Sequence, residues 1–204
     1  MEKSSEFLMR STLHDLANVL AGVRGIIDLN PPGQPINQRD RDRLEAVIEE
    51  GISTLNRCRH LTLETLPEDH PEPGPIWREQ LLKELQPIGI LFRCRFDLSF
   101  EGTPEWDQWP GALLRGYARA VTRQALPYAK TDVMNIHGSA GPKGWQIQWT
   151  PAPTLPDTLT PGPADKSLDI CSRWAIRAGS ALGASLSCVN GSLLARIPRN
   201  ADRP

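Results

Sequence analysis

The sequence predicts an α+β protein: an N-terminal antiparallel helical hairpin that forms a dimeric four-helix bundle, followed by a two-layer α/β sandwich. Three observations carry this prediction. Leu13, Leu16, Leu20, Val23 and Ile27 recur at alternating spacings of three and four, as do Leu44, Ile48, Gly51, Leu55 and Cys58. Each series is the seam of a bundle helix. The breaker cluster Asn30-Pro31-Pro32-Gly33 lies between them and forces a short reversal. Beyond Trp77 helical and alternating segments intermix, and the chain closes on Asn190-Gly191, the dipeptide of a tight β-hairpin.

The elements follow in order. A first helix is predicted from Ser5 to Leu29, and a second from the N-cap Asn37 to Thr65. Two helices with apolar stripes cannot bury both by themselves, so a homodimer is expected. Residues 1–66 form the hairpin domain, 67–75 a stiff proline-rich linker, and 76–204 the sandwich. Within the sandwich, helices are predicted over Trp77–Leu85, Leu113–Tyr128 and Ser167–Gly179. Strands are predicted over Cys94–Phe100, Asp132–His137, Trp145–Trp149, Ala184–Val189 and Ser192–Ile197. A proline-rich loop fills Thr150–Pro163.

Composition narrows the function classes. With 23 Lys and Arg against 24 Asp and Glu, the 204-residue chain has a net charge of -1 and no basic stripe, so a nucleic-acid surface is not expected. No apolar run approaches the roughly 20 residues of a bilayer span, and the N-terminus lacks a signal-peptide core, so a cytoplasmic protein without membrane contact is expected. Cys58, Cys94, Cys171 and Cys188 are far apart with no CxxC pair, and read as buried reduced thiols. His14, His60, His70 and His137 show no metal-ligand spacing. Neither a bound metal nor a bound cofactor is expected.

The chemistry concentrates in Leu13-His14-Asp15-Leu16-Ala17-Asn18. On a helix the apolar seam is centred roughly 140° from His14, so the imidazole points away from it. Asn18 lies one turn below. Arg10, Ala17, Ala21 and Gly25 share that face, and three of these four are small enough for a partner's backbone to approach. Gly22 and Gly25 each cost the helix about 1 kcal/mol relative to Ala, which a packing or access role would offset.

A dimerising hairpin with His-Asp-x-x-Asn on its first helix, a short linker and an α/β sandwich resembles the bacterial sensor histidine kinases. His14–Asn18 is similar to their H-box, and the segment from Ile176-Arg177-Ala178-Gly179 through Ile197-Pro198 to the end of their ATPase-like domain. The sequence departs from that family at three nucleotide features. Ala120-Val121-Thr122-Arg123-Gln124-Ala125 stands where an asparagine-rich helix holds magnesium and phosphates. Thr150-Pro151-Ala152-Pro153 replaces Asp-x-Gly, and Pro161-Gly162-Pro163-Ala164-Asp165-Lys166 replaces a glycine-rich phosphate loop. Proline lacks the N–H groups such a cradle uses.

That combination resembles the kinase-derived histidine phosphotransferases, whose phosphoryl group moves between a bundle histidine and a receiver-domain aspartate without ATP. The resemblance implies His14 as nucleophile, Asp15 as the residue that orients the imidazole or takes its proton, and Asn18 as a residue that can orient a hydrolytic water. It implies a response-regulator receiver as partner, with Mg²⁺ bound by that partner's acidic pocket. Arg10, one turn before His14, could screen phosphate charge. A response-regulator phosphatase, or a pseudokinase that regulates a true kinase, is the alternative.

Overall fold

The computed structural model describes residues 2–30, 33–63, 65–68, 70–102, 107–129, 131–151 and 170–199, with side chains from residue 12 onward. The proline-rich loop beyond Pro151, the segment 161–166 and Trp106 lie outside the described residues. The hairpin consists of α1 (Glu2–Asp28) and α2 (Gln38–Thr62). Asn37 caps α2 as its sequence position demands, its side-chain oxygen accepting the Asp40 N–H at 2.9 Å. Replacing Asn37 by Ala is expected to lower stability by about 1 kcal/mol in chemical denaturation.

Within the chain, α1 and α2 meet along the predicted seams only in part: Gly51 and Cys58 of the α2 series lie in the contact, whereas Leu13, Leu20 and Ile27 of the α1 series do not. They meet through Thr12 with Cys58, Val19 with Gly51 and Gly22 with Val47. Gly51 sits in this contact because a Cβ there would come within 2.9 Å of Val19 Cγ1. Gly22 faces Val47 at ordinary van der Waals distance. Leu13, Leu20 and Ile27 of α1 and Ile48, Ile52 and Leu55 of α2 are left exposed. On α1 this contact face lies roughly a quarter of a turn from the periodic series at about 100° per residue, and Gly51 lets the backbones approach there.

The segment read as linker contains a strand. Glu72–Pro73, within the predicted linker, form a short strand β1 that pairs antiparallel with β3 (Gln108–Trp109), an element without a sequence signal. Helix α3 then runs Gly74–Phe92, through Pro87 and well past the predicted end at Leu85. Pro87 removes one backbone bond, but Leu85 and Ile88 on either side of it are fully buried, and that burial outweighs the loss.

The remaining elements are β2 (Arg95–Glu101), α4 (Ala112–Ala129), β4 (Val133–Gly141), β5 (Gly144–Thr150), α5 (Ile170–Leu182), β6 (Ser185–Val189) and β7 (Ser192–Pro198). The main sheet has the order β2-β4-β5-β7-β6, with β2 and β4 parallel and every other pair antiparallel. Inward-facing strand residues such as Leu98, Ile136, Ile147, Trp149 and Ala195 pack against α3, α4 and α5 in one core. Asn190 (φ 48°) and Gly191 (φ 73°) make the β6–β7 turn, both in the left-handed region that a two-residue hairpin requires. The β4–β5 reversal is tighter than expected: both strands extend to Gly141 and Gly144, so residues read as loop are paired. Of the four free cysteines, Cys94 and Cys171 are buried and Cys58 partly so, but Cys188 is exposed, contrary to expectation, because β6 is an edge strand. No helix among the described residues is long and apolar enough to cross a membrane.

Candidate functional site

His14 stands in the middle of α1 with its side chain 75% exposed. Its Nδ1 lies 3.4 Å from Asp15 Oδ1 and 3.3 Å from Asn18 Nδ2, both long for a hydrogen bond. The two neighbours ask for different tautomers. A proton on Nδ1 is accepted by the Asp15 carboxylate, whereas a bare Nδ1 accepts from the Asn18 amide. A charged acceptor is the stronger partner, which favours the proton on Nδ1 and leaves the lone pair on Nε2. Nε2 has no partner among the described residues. The geometry thus yields an accessible nitrogen nucleophile whose other nitrogen is held by the same helix.

Ala17, Ala21 and Gly25 are exposed below His14, and a Cβ on Gly25 would touch nothing within 4 Å. Arg10 lies on α1, but its side chain is outside the described set. His60, His70 and His137 do not join the site. His60 packs 5.5 Å from the Trp174 ring, His70 is 3.2 Å from Glu68, and His137 is 3.0 Å from Ser99 Oγ. Among the described residues no group of acidic, histidine and cysteine side chains could hold a metal ion.

The helix and strand end that the kinase resemblance assigns to nucleotide contacts meet each other directly. Trp149 is fully buried at the end of β5, and its indole N–H donates to Thr122 Oγ1 of α4 at 2.9 Å. Thr122 in turn donates to the Ala118 carbonyl at 2.8 Å, so the pair is satisfied internally.

Sequence reasoning missed a buried ionic network that joins hairpin to sandwich. Glu50 of α2 accepts from Arg57 Nη2 through Oε1 (3.0 Å) and from Arg119 Nη2 of α4 through Oε2 (2.6 Å). Arg57 also donates to Ser53 and Thr54 on its own helix. Arg119 donates to Ser53 Oγ and to the Glu84 carbonyl, tying α2, α3 and α4 together. Burial holds the Arg119 guanidinium below its usual range; Glu50 opposes that shift and Arg57 adds to it by repulsion. The signal was present as two misfits: Arg119 among the buried residues Tyr117, Ala118, Ala120 and Val121, and Glu50 beside Gly51 on the buried face of α2. Nothing in the sequence pairs residues 69 positions apart.

No protein-family model matches the chain, and neither does any curated protein. Solved structures do match. The chain is similar to the Acinetobacter baumannii histidine kinase AdeS, at 12% identity and a TM-score of 0.51, over 91% of this chain and 95% of that one. It is similar to a bacterial phosphotransferase at 8% identity and a TM-score of 0.53, over 96% of this chain and 95% of that one. At such identities the likeness concerns architecture. The chain has a histidine-kinase-like fold.

Proposed function

We propose that the protein is a histidine phosphotransferase that exchanges a phosphoryl group between His14 and the aspartate of response-regulator receiver domains, without ATP. The observation that carries this reading is the exposed imidazole with an open Nε2 and its Nδ1 beside Asp15 and Asn18. In the forward step Nε2 attacks the phosphorus of the aspartyl phosphate. The N–P bond forms as the P–O bond breaks, and the aspartate leaves as a carboxylate. The imidazole becomes cationic, and the Asp15 carboxylate beside Nδ1 stabilises that charge or accepts the proton. Such a donor is already activated, so positioning suffices on the side of this chain. Mg²⁺ bound by the receiver would screen the phosphoryl oxygens. The Trp149–Thr122 contact supports a sandwich serving as scaffold rather than nucleotide site. Incubating the protein with phosphorylated receiver domains tests the reading: acid-labile label should appear on this chain as it leaves the donor. Donors that keep their label, or lose it only to water, would refute transfer.

The exposed series Leu13, Leu20, Ile27, Ile48, Ile52 and Leu55 supports a homodimer, since a second hairpin related by a two-fold axis would bury it in a four-helix bundle. Leu20→Asp enters such an interface twice, and should weaken dimerisation by about 100-fold or more, read by light scattering across a dilution series. Unchanged dimers would place the interface elsewhere. A second reading, phosphatase action toward the receiver, is favoured by the exposed Asn18 amide next to His14.

A further inference from the structure

Behind Asp15 and Asn18 lies a cleft of about 230 Å³ to which all five described helices contribute. Its polar lining is Asp15, Asn18, Glu50, Thr54, Arg57 and Arg123, and the remainder is apolar or small. The charges around it are unevenly matched. Glu50 spends one oxygen on Arg57 and the other on Arg119, both guanidiniums being more than nine-tenths buried. The second carboxylate of the lining, Asp15, is turned to His14 Nδ1. Arg123 is left sharing Glu50 from 3.7 Å, beyond hydrogen-bond reach. Its Nε–H, the atom that faces Glu50, is buried and has no hydrogen-bond partner among the described residues, while the side chain as a whole is 33% exposed. The same guanidinium lies over the Phe92 ring, 4.7 Å from the centroid. Further away, Arg115 is matched by Glu72 and Glu84 and adds no uncompensated charge.

A buried N–H without an acceptor costs about 1–3 kcal/mol, and a guanidinium that shares its carboxylate with two others gains from any further anion. A tetrahedral oxyanion offers both the acceptor oxygens and the charge, and the cleft holds several times the roughly 30 Å³ a water occupies. We infer that this cleft is a binding site for a phosphate-class oxyanion, with Arg123 as its principal ligand. Asp15 and Asn18 form the wall between this site and His14, so an occupying anion would compete for the groups that hold Nδ1. That regulatory consequence rests on the phosphotransfer reading; the site does not.

The test measures inorganic phosphate binding by ³¹P line broadening at constant ionic strength, with chloride as background, on the full chain without any receiver. The unmodified protein and His14→Ala should both bind saturably. Arg123→Gln should bind about tenfold more weakly or worse, and Arg123→Lys should fall between, since lysine keeps the charge but not the planar fork. Thermal melts establish that the variants fold; if the Gln variant melts early, the Lys variant carries the comparison. No saturable binding to the unmodified protein, or equal binding after removal of Arg123, would overturn the site. Intact phosphate binding in a protein that accepts no label from receivers would sink the phosphotransfer reading alone.

Discussion

The His14→Ala protein is expected to take no label from any phosphorylated receiver domain, while its melting temperature stays unchanged. The second half follows from exposure: the imidazole is mostly in solvent and its contacts to Asp15 and Asn18 are long, so removal costs the fold little. The first half follows from chemistry, because no other side chain on that helix face offers a nitrogen lone pair at neutral pH. Ala17, Ala21 and Gly25 carry no nucleophile, and Asn18 presents an amide. The variant also separates the two readings. If the receiver loses its phosphoryl group to water at an undiminished rate without His14, Asn18-directed hydrolysis is the activity, and Asn18→Ala should then abolish it. Label that persists on the His14→Ala chain would remove His14 from the mechanism.

Glu50→Ala is expected to be the most destabilising single substitution away from the apolar core, at about 3–5 kcal/mol in chemical denaturation. Removing one member of a buried ionic group leaves the others charged and desolvated, and that penalty exceeds the loss of the pair itself. Arg57 and Arg119 would both lose their carboxylate in the interior, with Arg123 beside them. The double variant Glu50→Ala/Arg119→Ala should cost clearly less than the sum of the single changes, since the second removes a charge the first exposed. A Glu50→Ala cost below about 1 kcal/mol, or strict additivity, would show that water already solvates the network. Because the network bridges α2 to α4, its loss should also loosen the sandwich from the hairpin, visible as faster amide exchange in α2 around Ser53.

Much of the secondary structure was accessible from local signals. Both hairpin helices, the Asn37 cap, the Asn190-Gly191 turn and the five strands of the main sheet rest on periodicity and turn chemistry, which operate within a few residues. The misses have non-local causes. Helix α3 outruns Pro87 because distant core residues bury Leu85 and Ile88, and β1 exists only because β3 arrives beside it. The α1–α2 contact face within the chain was not specified, because the apolar series marks what is hydrophobic without saying which neighbour takes it.

The same division holds at the site. The identity of the reactive group and its spacing to Asp15 and Asn18 are properties of one helix, where i, i+1 and i+4 positions are fixed by backbone geometry, so residue order was enough to find them. The cleft behind His14 and the Glu50-centred arginines depend on five helices converging from across the chain. Those features follow from how buried charges find partners in three dimensions, and only the folded arrangement brings Glu50 to Arg119.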